Sequence, residues 1–314
     1  MIGTDVQLAS TILTSGGLVA IPTETVYGLA ANAFNSNAVL SIFKAKNRPH
    51  FDPLIVHVHS YAQVAEISTS FPAPARALAK AYWPGPLTLI LPKSDLISDL
   101  VTSGLPFVGI RMPRHSLTRK LLSKLSFPLA APSANPFGYV SPTTAQHVED
   151  QLGDVIDYVL DGGPCSVGLE STIVSFANED KPAILRFGGV SEEDIRSVIG
   201  DVAVDIQSGS KPNSPGQLDS HYATRTLLKV VEANELSTLV KGENEVVIGF
   251  GNDVSAQFTY NLSPTGDLDE AAANLFRFLR LADDSSADKI IVSTVPDVGL
   301  GKAINDRLRR ASQR

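Results

Sequence analysis

Cysteine is nearly missing. The 314 residues hold one, Cys165, which has no partner for an internal disulfide and fits a reducing compartment. No apolar run reaches the length that crosses a bilayer. Met1 to Gln7 lack the basic start and apolar stretch of a secretory signal, so the expected location is cytoplasmic. Positive charge is in deficit: the formal net charge of −7 argues against broad coating of nucleic acid, which needs a positive surface. A small cationic pocket inside an acidic chain is compatible with that balance. The chain has no G-x-x-x-x-G-K-[ST] loop, G-x-G-x-x-G fingerprint, H-E-x-x-H helix or G-x-S-x-G elbow. A nucleotide handled here would need a different cradle. With 43% apolar and 19% charged residues the sequence reads as soluble and globular, long enough for one large domain or two ordinary ones.

What is present begins with Pro22-Thr23-Glu24-Thr25-Val26-Tyr27-Gly28-Leu29, directly after the apolar run Gly17 to Ile21. A β-rich run ends in proline and then presents hydroxyls, a carboxylate and a phenol where a strand gives way to a loop. That is a favoured place for ligand sites in open α/β sheets. Up to about residue 200, β-rich runs (Leu54–His59, Leu87–Leu91, Val108–Arg111, Thr172–Phe176) alternate with helix-like stretches at 38–45 and 73–81. From Gln207 to Thr226 the composition turns to Ser, Gly, Pro and Asn, which reads as a linker ending in His221-Tyr222. Beyond it, Leu227–Val231, Glu245–Phe250 and Lys289–Val295 look like strands. Asp267 caps a helix with Glu270 three residues on, and a last helix spans roughly 302–310.

Candidate site residues scatter along the first part. Strand alternation puts Ile55, His57 and His59 on one face, but no further ligand cluster completes a metal site, so a hydrogen-bonding role suits His57 better. Lys46 and Arg48 precede Pro49 near Asp52; as a solvated pair they need no explanation, and as an anion clamp they suit phosphate or carboxylate. Arg111 and Arg186 end apolar strands, where a guanidinium requires a partner or ligand. Ser133, Asn135 and Ser141 are common turn residues that could equally let phosphate approach the backbone. Cys165 reads as a loop cysteine without chemistry rather than a nucleophile.

Taken in order, these segments resemble the threonylcarbamoyl-AMP synthase family in its long form. They are Pro22 to Leu29, Lys46-Asn47-Arg48-Pro49, Asp52 to His57, Trp83-Pro84-Gly85-Pro86-Leu87-Thr88, Arg111-Met112-Pro113, Ala131 to Asn135, Glu170 to Ile173, Leu185 to Gly188, and Ser214-Pro215-Gly216 with His221-Tyr222. The resemblance implies a YrdC-like α/β domain, a twisted open mixed sheet with flanking helices, over 1–204. A linker or lid over 205–226 follows, then a small Rossmann-like three-layer unit over 227–314. It implies joining of L-threonine, bicarbonate or CO2, and ATP into threonylcarbamoyladenylate and pyrophosphate, with Mg2+ accompanying the triphosphate. A downstream transferase complex would then modify tRNA; direct RNA contact stays open. By the same analogy Thr25, His57, Arg111, Ala131 and Ser171 hold threonine. Lys46, Arg48, Asp52, Ser133, Asn135, Ser141, Arg186 and Tyr222 hold ATP, with Lys46, Arg48 and Arg111 carrying the catalytic charge. Gln217 to Ser220 depart from the family, where a more basic and aromatic stretch is common. The alternative is a tRNA- or double-stranded-RNA-binding module without adenylation chemistry, resting on the same cations plus Arg307, Arg309 and Arg310.

Overall fold

The computed structural model describes residues 1–49, 52–206, 215, 221–236, 242–252 and 258–313. Most of the linker stretch, 207–214 and 216–220, lies outside the described residues.

Two sheets organise the chain. The larger is mixed and among the described residues has eleven strands: β1 (Ile2–Gly3), β2 (Val19–Ile21), β3 (Gly28–Asn32), β4 (Ile55–His57), β5 (Leu87–Pro92), β6 (Phe107–Arg111), β7 (Leu129–Ala130), β8 (Tyr158–Leu160), β9 (Thr172–Ser175), β10 (Ala183–Arg186) and β11 (Ala203–Val204). Their spatial order is β1-β8-β2-β3-β7-β4-β6-β5-β9-β10-β11. β4 runs parallel to β6 and β5 parallel to β9, whereas β5 and β6 are antiparallel. Helices Ser36–Lys46 and Ala73–Tyr82 supply apolar side chains to one face, packing Ile42, Phe43, Leu78 and Ala79 with Val56, Leu89, Ile110 and Val174.

Period-two alternation then dictates the other face. Across β4, β6, β5 and β9 the registers His57↔Arg111, Thr88↔Arg111 and Thr88↔Ile173 make one row. Ile55↔Gly109, Ile90↔Gly109 and Ile90↔Ser175 make the next. The first row is polar apart from Ile173 and the second apolar apart from Ser175, and Ile55, Ile90, Ile173 and Leu185 cluster across this face. This face carries the hollows described below.

The smaller sheet is all parallel, in the order β12 (Leu227–Val231), β15 (Lys289–Ser293), β13 (Glu245–Gly249), β14 (Tyr260–Asn261). Helices Leu268–Asp283 and Gly301–Ala311 both pack on the face bearing Leu228, Val246, Ile248, Ile290 and Val292. The opposite face, Val231, Val247 and Ile291, is covered among the described residues by Leu236 and Phe258. Asp267 caps the first of these helices through the N–H groups of Asp269 and Glu270. Glu270 closes the cap indirectly: it accepts from Ser263 Oγ, which itself accepts the Asp267 N–H.

The two units share a core. Val26, Val140 and Leu169 of the first cluster with Tyr222, Leu275, Phe276, Ile304 and Leu308. Gly168, at φ +72, makes the approach possible: a Cβ there would lie 2.5 Å from Ala273 Cα. Arg280, buried, donates to the carbonyls of Val140 and Ser141 across the same seam.

Candidate active site

Thr23, Arg48, His57, Arg111, Ala131, Ser133, Glu170, Ser171, Arg186, His221 and Tyr222 line a polar hollow of about 50 Å3. It shares Ile55 and Pro215 with a larger, more apolar hollow of about 350 Å3, floored by Ile90, Gly109, Ile173 and Leu185. Together they suit a ligand with a charged end and a flat or apolar end.

Two strand exits and one helix C-terminus deliver the cations. Arg111, last residue of β6, forms a buried ion pair with Glu24 at 2.8 Å, and Glu24 accepts the Arg114 N–H at 2.9 Å through its other oxygen. Burial pushes the Glu24 carboxyl up, but the Arg111 charge and these hydrogen bonds outweigh it and hold it below its ordinary range. Arg186, last residue of β10, donates to Ser171 O from Nε (3.1 Å) and Nη2 (3.0 Å), to Ser171 Oγ at 3.2 Å and to Pro215 O at 3.2 Å. Ser171 Oγ also lies 2.8 Å from Thr88 Oγ1. Gly188 permits this packing: a Cβ there would fall 2.2 Å from Glu170 O. Arg48 donates to Asp52 O (3.1 Å) and Pro53 O (2.9 Å), and its Nη2 lies 2.8 Å from Asp52 Oδ2 as an ion pair.

Five expected contact residues sit behind the lining rather than on it. Thr25 is fully buried against Thr23 Oγ1 at 2.8 Å, and Thr23 takes the lining place. Lys46 donates to the carbonyls of Ser133 (2.6 Å) and Asn135. Burial and the Arg48 charge press its pKa well down. Asn135 donates to Pro136 O and Tyr139 O; Ser141 donates to Glu170 at 2.6 Å; Asp52 pairs with Arg48. These contacts with protein brace the residues that face the hollow, although Asn135 Oδ1 and Asp52 Oδ1 are buried with no hydrogen-bond partner among the described residues. Ser133 presents itself in the lining with its carbonyl held by Lys46.

Two imidazoles face the hollow in neutral form. Burial, then the Arg111 charge, lowers His57 to about 3. Burial, then Arg48, Lys46, Arg307 and Arg186, holds His221 well below its ordinary value. The Nδ1 of each is buried with no hydrogen-bond partner among the described residues. Such an atom is costly unless a ligand supplies a hydrogen-bond partner, donor or acceptor according to the tautomer. Tyr222 is 1% exposed at φ +64, its ring 5.5 Å from Phe276, and burial raises its phenol to about 12. Cys165 is buried and burial pushes its thiol up, which leaves it inert.

His57 makes stability acid-sensitive with a defined sign. Its folded pKa lies below the unfolded 6.5, so it costs nothing above that pH and destabilises progressively as pH falls from 6.5 towards 3. The stability difference between the parent and His57→Gln should therefore shift by about 1.4 kcal/mol per pH unit in that window. Denaturant melts at pH 7, 6 and 5 would read it; parallel curves would contradict it.

The sequence reading quoted Glu24, Glu170 and Thr88 within its motif segments but gave them no role at the site, and it missed the inward role of Arg307. Arg307, Arg309 and Arg310 correct the RNA-binding alternative. Arg307 and Arg310 are 0% and 1% exposed, and all three pair with Asp306. Arg307 reaches inward to Glu170 and Phe187 and Arg310 to Ile206, whereas Arg309 is exposed and pairs with Asp306 on its own helix, so the three form no shared cationic surface. Among the described residues, no group of three or more His, Cys, Asp or Glu is placed to hold a metal, and no helix is long and apolar enough to cross a membrane.

Comparison with known proteins agrees with this architecture. Residues 11–188 match a family profile described as "Telomere recombination", and residues 190–313 match one described as "Threonylcarbamoyl-AMP synthase, C-terminal domain". The threonylcarbamoyl-AMP synthase of Pyrococcus abyssi is 40% identical over 98% of this chain and 94% of its own. That of Bacillus subtilis is 41% identical over 97% of this chain and 92% of its own. The crystal structure of P. abyssi Sua5 complexed with L-threonine superposes with a TM-score of 0.90 at 38% identity, covering 98% of this chain and 94% of that one. With profiles over 11–188 and 190–313 and near-complete coverage by relatives about 40% identical, the chain belongs to the threonylcarbamoyl-AMP synthase family.

Proposed function

We propose that this chain is a nucleotidyltransferase that joins L-threonine, CO2 or bicarbonate, and ATP into L-threonylcarbamoyladenylate, releasing pyrophosphate. The convergence of Arg48, Arg111 and Arg186 with His57 and Ser171 on one hollow supports it most. Three fixed guanidiniums beside neutral imidazoles suit a ligand pair rich in carboxylate and phosphate oxygens.

No protein nucleophile is needed. The threonine amine adds CO2 and loses a proton to give a carbamate. A carbamate oxygen attacks the α-phosphorus, and pyrophosphate leaves with the electron pair of the broken P–O bond. Catalysis then rests on proximity and on charge stabilisation in a dry site. In this reading Arg111, oriented by Glu24, takes the threonine carboxylate, with His57, Ser171 and Ala131 around the amino acid and Thr25 bracing Thr23 behind it. Arg48 and Arg186 meet the phosphates beside Ser133. Lys46, Asp52, Asn135 and Ser141 hold that wall in place, and Tyr222 closes it from the linker side. The nucleoside has room in the larger apolar hollow. Mg2+ would arrive on the triphosphate, held by phosphate oxygens rather than by a protein carboxylate cage. The functional division we propose is 1–204 for chemistry, 205–226 as lid and 227–314 as its support. The product would pass to a cytoplasmic transferase complex that modifies adenosine in tRNA.

Pyrophosphate release from ATP, measured with and without threonine and bicarbonate, tests this directly. Release that requires both co-substrates is expected. Release that is indifferent to either would overturn the reading.

A further inference from the structure

The second unit touches residues that line the hollow, and one of its side chains does so with charge. Arg307 lies on the helix Gly301–Ala311 and is fully buried. Its Nε donates to Glu170 Oε2 at 3.0 Å, across 137 residues of sequence, and its Nη2 donates to Phe187 O at 2.8 Å. Nη1 is held by Asp306 at 3.0 Å, and the guanidinium carbon lies 5.2 Å from the centre of the Tyr222 ring. Glu170 immediately precedes Ser171, and Phe187 immediately follows Arg186. Arg307 therefore grips the neighbours of both halves of the Ser171–Arg186 contact while a site tyrosine lies against its face.

Glu170 makes this more than a staple between units. It is a carboxylate on the lining of a hollow otherwise rich in cations. Its Oε1 accepts from Ser141, and Oε2 is the atom that Arg307 holds. Burial pushes its pKa up, but Arg307 first and Arg186 second bring it below the ordinary range, so it stays charged. A charged Glu170 without Arg307 would have two effects. It would repel an anionic ligand across a dry space, and it would compete with Ser171 for Arg186, the other cation acting on it.

We propose that Arg307 is a positioning residue for the ATP half of the site, acting through Glu170: it neutralises and fixes that carboxylate so that Arg186 stays on Ser171 and open to phosphate. This makes the second unit a contributor to nucleotide binding. The proposal rests on the reading of the hollow as a seat for threonine and ATP. The parental chain's own pyrophosphate release tests that reading separately.

The experiment is steady-state pyrophosphate release by full-length Arg307→Met and by the double variant Arg307→Met with Glu170→Gln, varying ATP and threonine in turn, with melting temperatures recorded. For Arg307→Met the expected result is a KM for ATP raised by about tenfold or more, with the KM for threonine changed by less than about threefold. Adding Glu170→Gln should recover most of the ATP loss, since the stranded charge is gone. A purely structural staple would lower the melting temperature without that rescue. An ATP KM at the parental value in Arg307→Met overturns the proposal. So does a double variant no better than the single one, or a threonine KM that rises in step. Should Arg307→Met not fold, the double variant, which buries no unpaired charge, decides alone: near-parental ATP KM supports the proposal and a tenfold rise contradicts it.

Discussion

Arg111→Ala should cut threonine-dependent pyrophosphate release by about a hundredfold or more at sub-saturating threonine, with the ATP KM moving by less than about threefold. Two physical losses combine. The guanidinium that would pair with the threonine carboxylate disappears, and Glu24, its buried partner at 2.8 Å, is left as an uncompensated negative charge behind the wall of the hollow. Breaking a buried ion pair from one side also destabilises the fold by about 3–5 kcal/mol. Adding Glu24→Gln separates the effects: stability should largely return, while threonine affinity should not. Titrations of threonine and of ATP against both variants, with denaturant melts, would read this. Equal losses for the two substrates would contradict the assignment of Arg111 to threonine.

Removing residues 207–314 should lower adenylate formation by about a hundredfold or more, a scale comparable to losing one oriented stabilising group. The first unit would then expose Val26, Val140 and Leu169, which are buried in the shared core. Glu170 would lose Arg307, the carbonyls of Val140 and Ser141 would lose Arg280, and the hollow would lose His221 and Tyr222 from its wall. Tyr222→Ala in the full chain isolates the last of these. It leaves both units docked through Arg280 and Arg307 and should still weaken ATP binding more than threonine binding. Full activity in the truncated chain would remove any role for the second unit in the chemistry.

How much of this was readable from residue order depends on distance along the chain. The helix at 268 was legible because its cap and its apolar stripe are local, from Asp267 and Glu270 to Leu275 and Leu279. His57 could be placed on the Ile55 face because strand alternation is local too. The partners of the arginines were not, since Glu24 lies 87 residues from Arg111 and Glu170 lies 137 from Arg307. Strand order failed to be legible for the same reason: β5 between β6 and β9 is a long-range pairing. Arg307 did carry an overlooked local signal. It falls at helical spacing among Ala303, Ile304, Leu308 and Ala311, all buried, so the apolar stripe itself points that guanidinium inward. Lys46 gave the opposite impression. It ends a helix and reads as an anion clamp, and only the folded loop shows that two carbonyls take two of the three N–H groups of its ammonium.

The measurement that tests the account most directly is a crystal structure of the full chain soaked with L-threonine and a non-hydrolysable ATP analogue. The account predicts the threonine carboxylate within hydrogen-bond distance of Arg111 and phosphate oxygens within reach of Arg48 and Arg186, both ligands in the hollow that contains His57 and Ser171. Well-ordered ligands bound elsewhere, with Arg111, Ser171 and Arg186 touching neither, would contradict it.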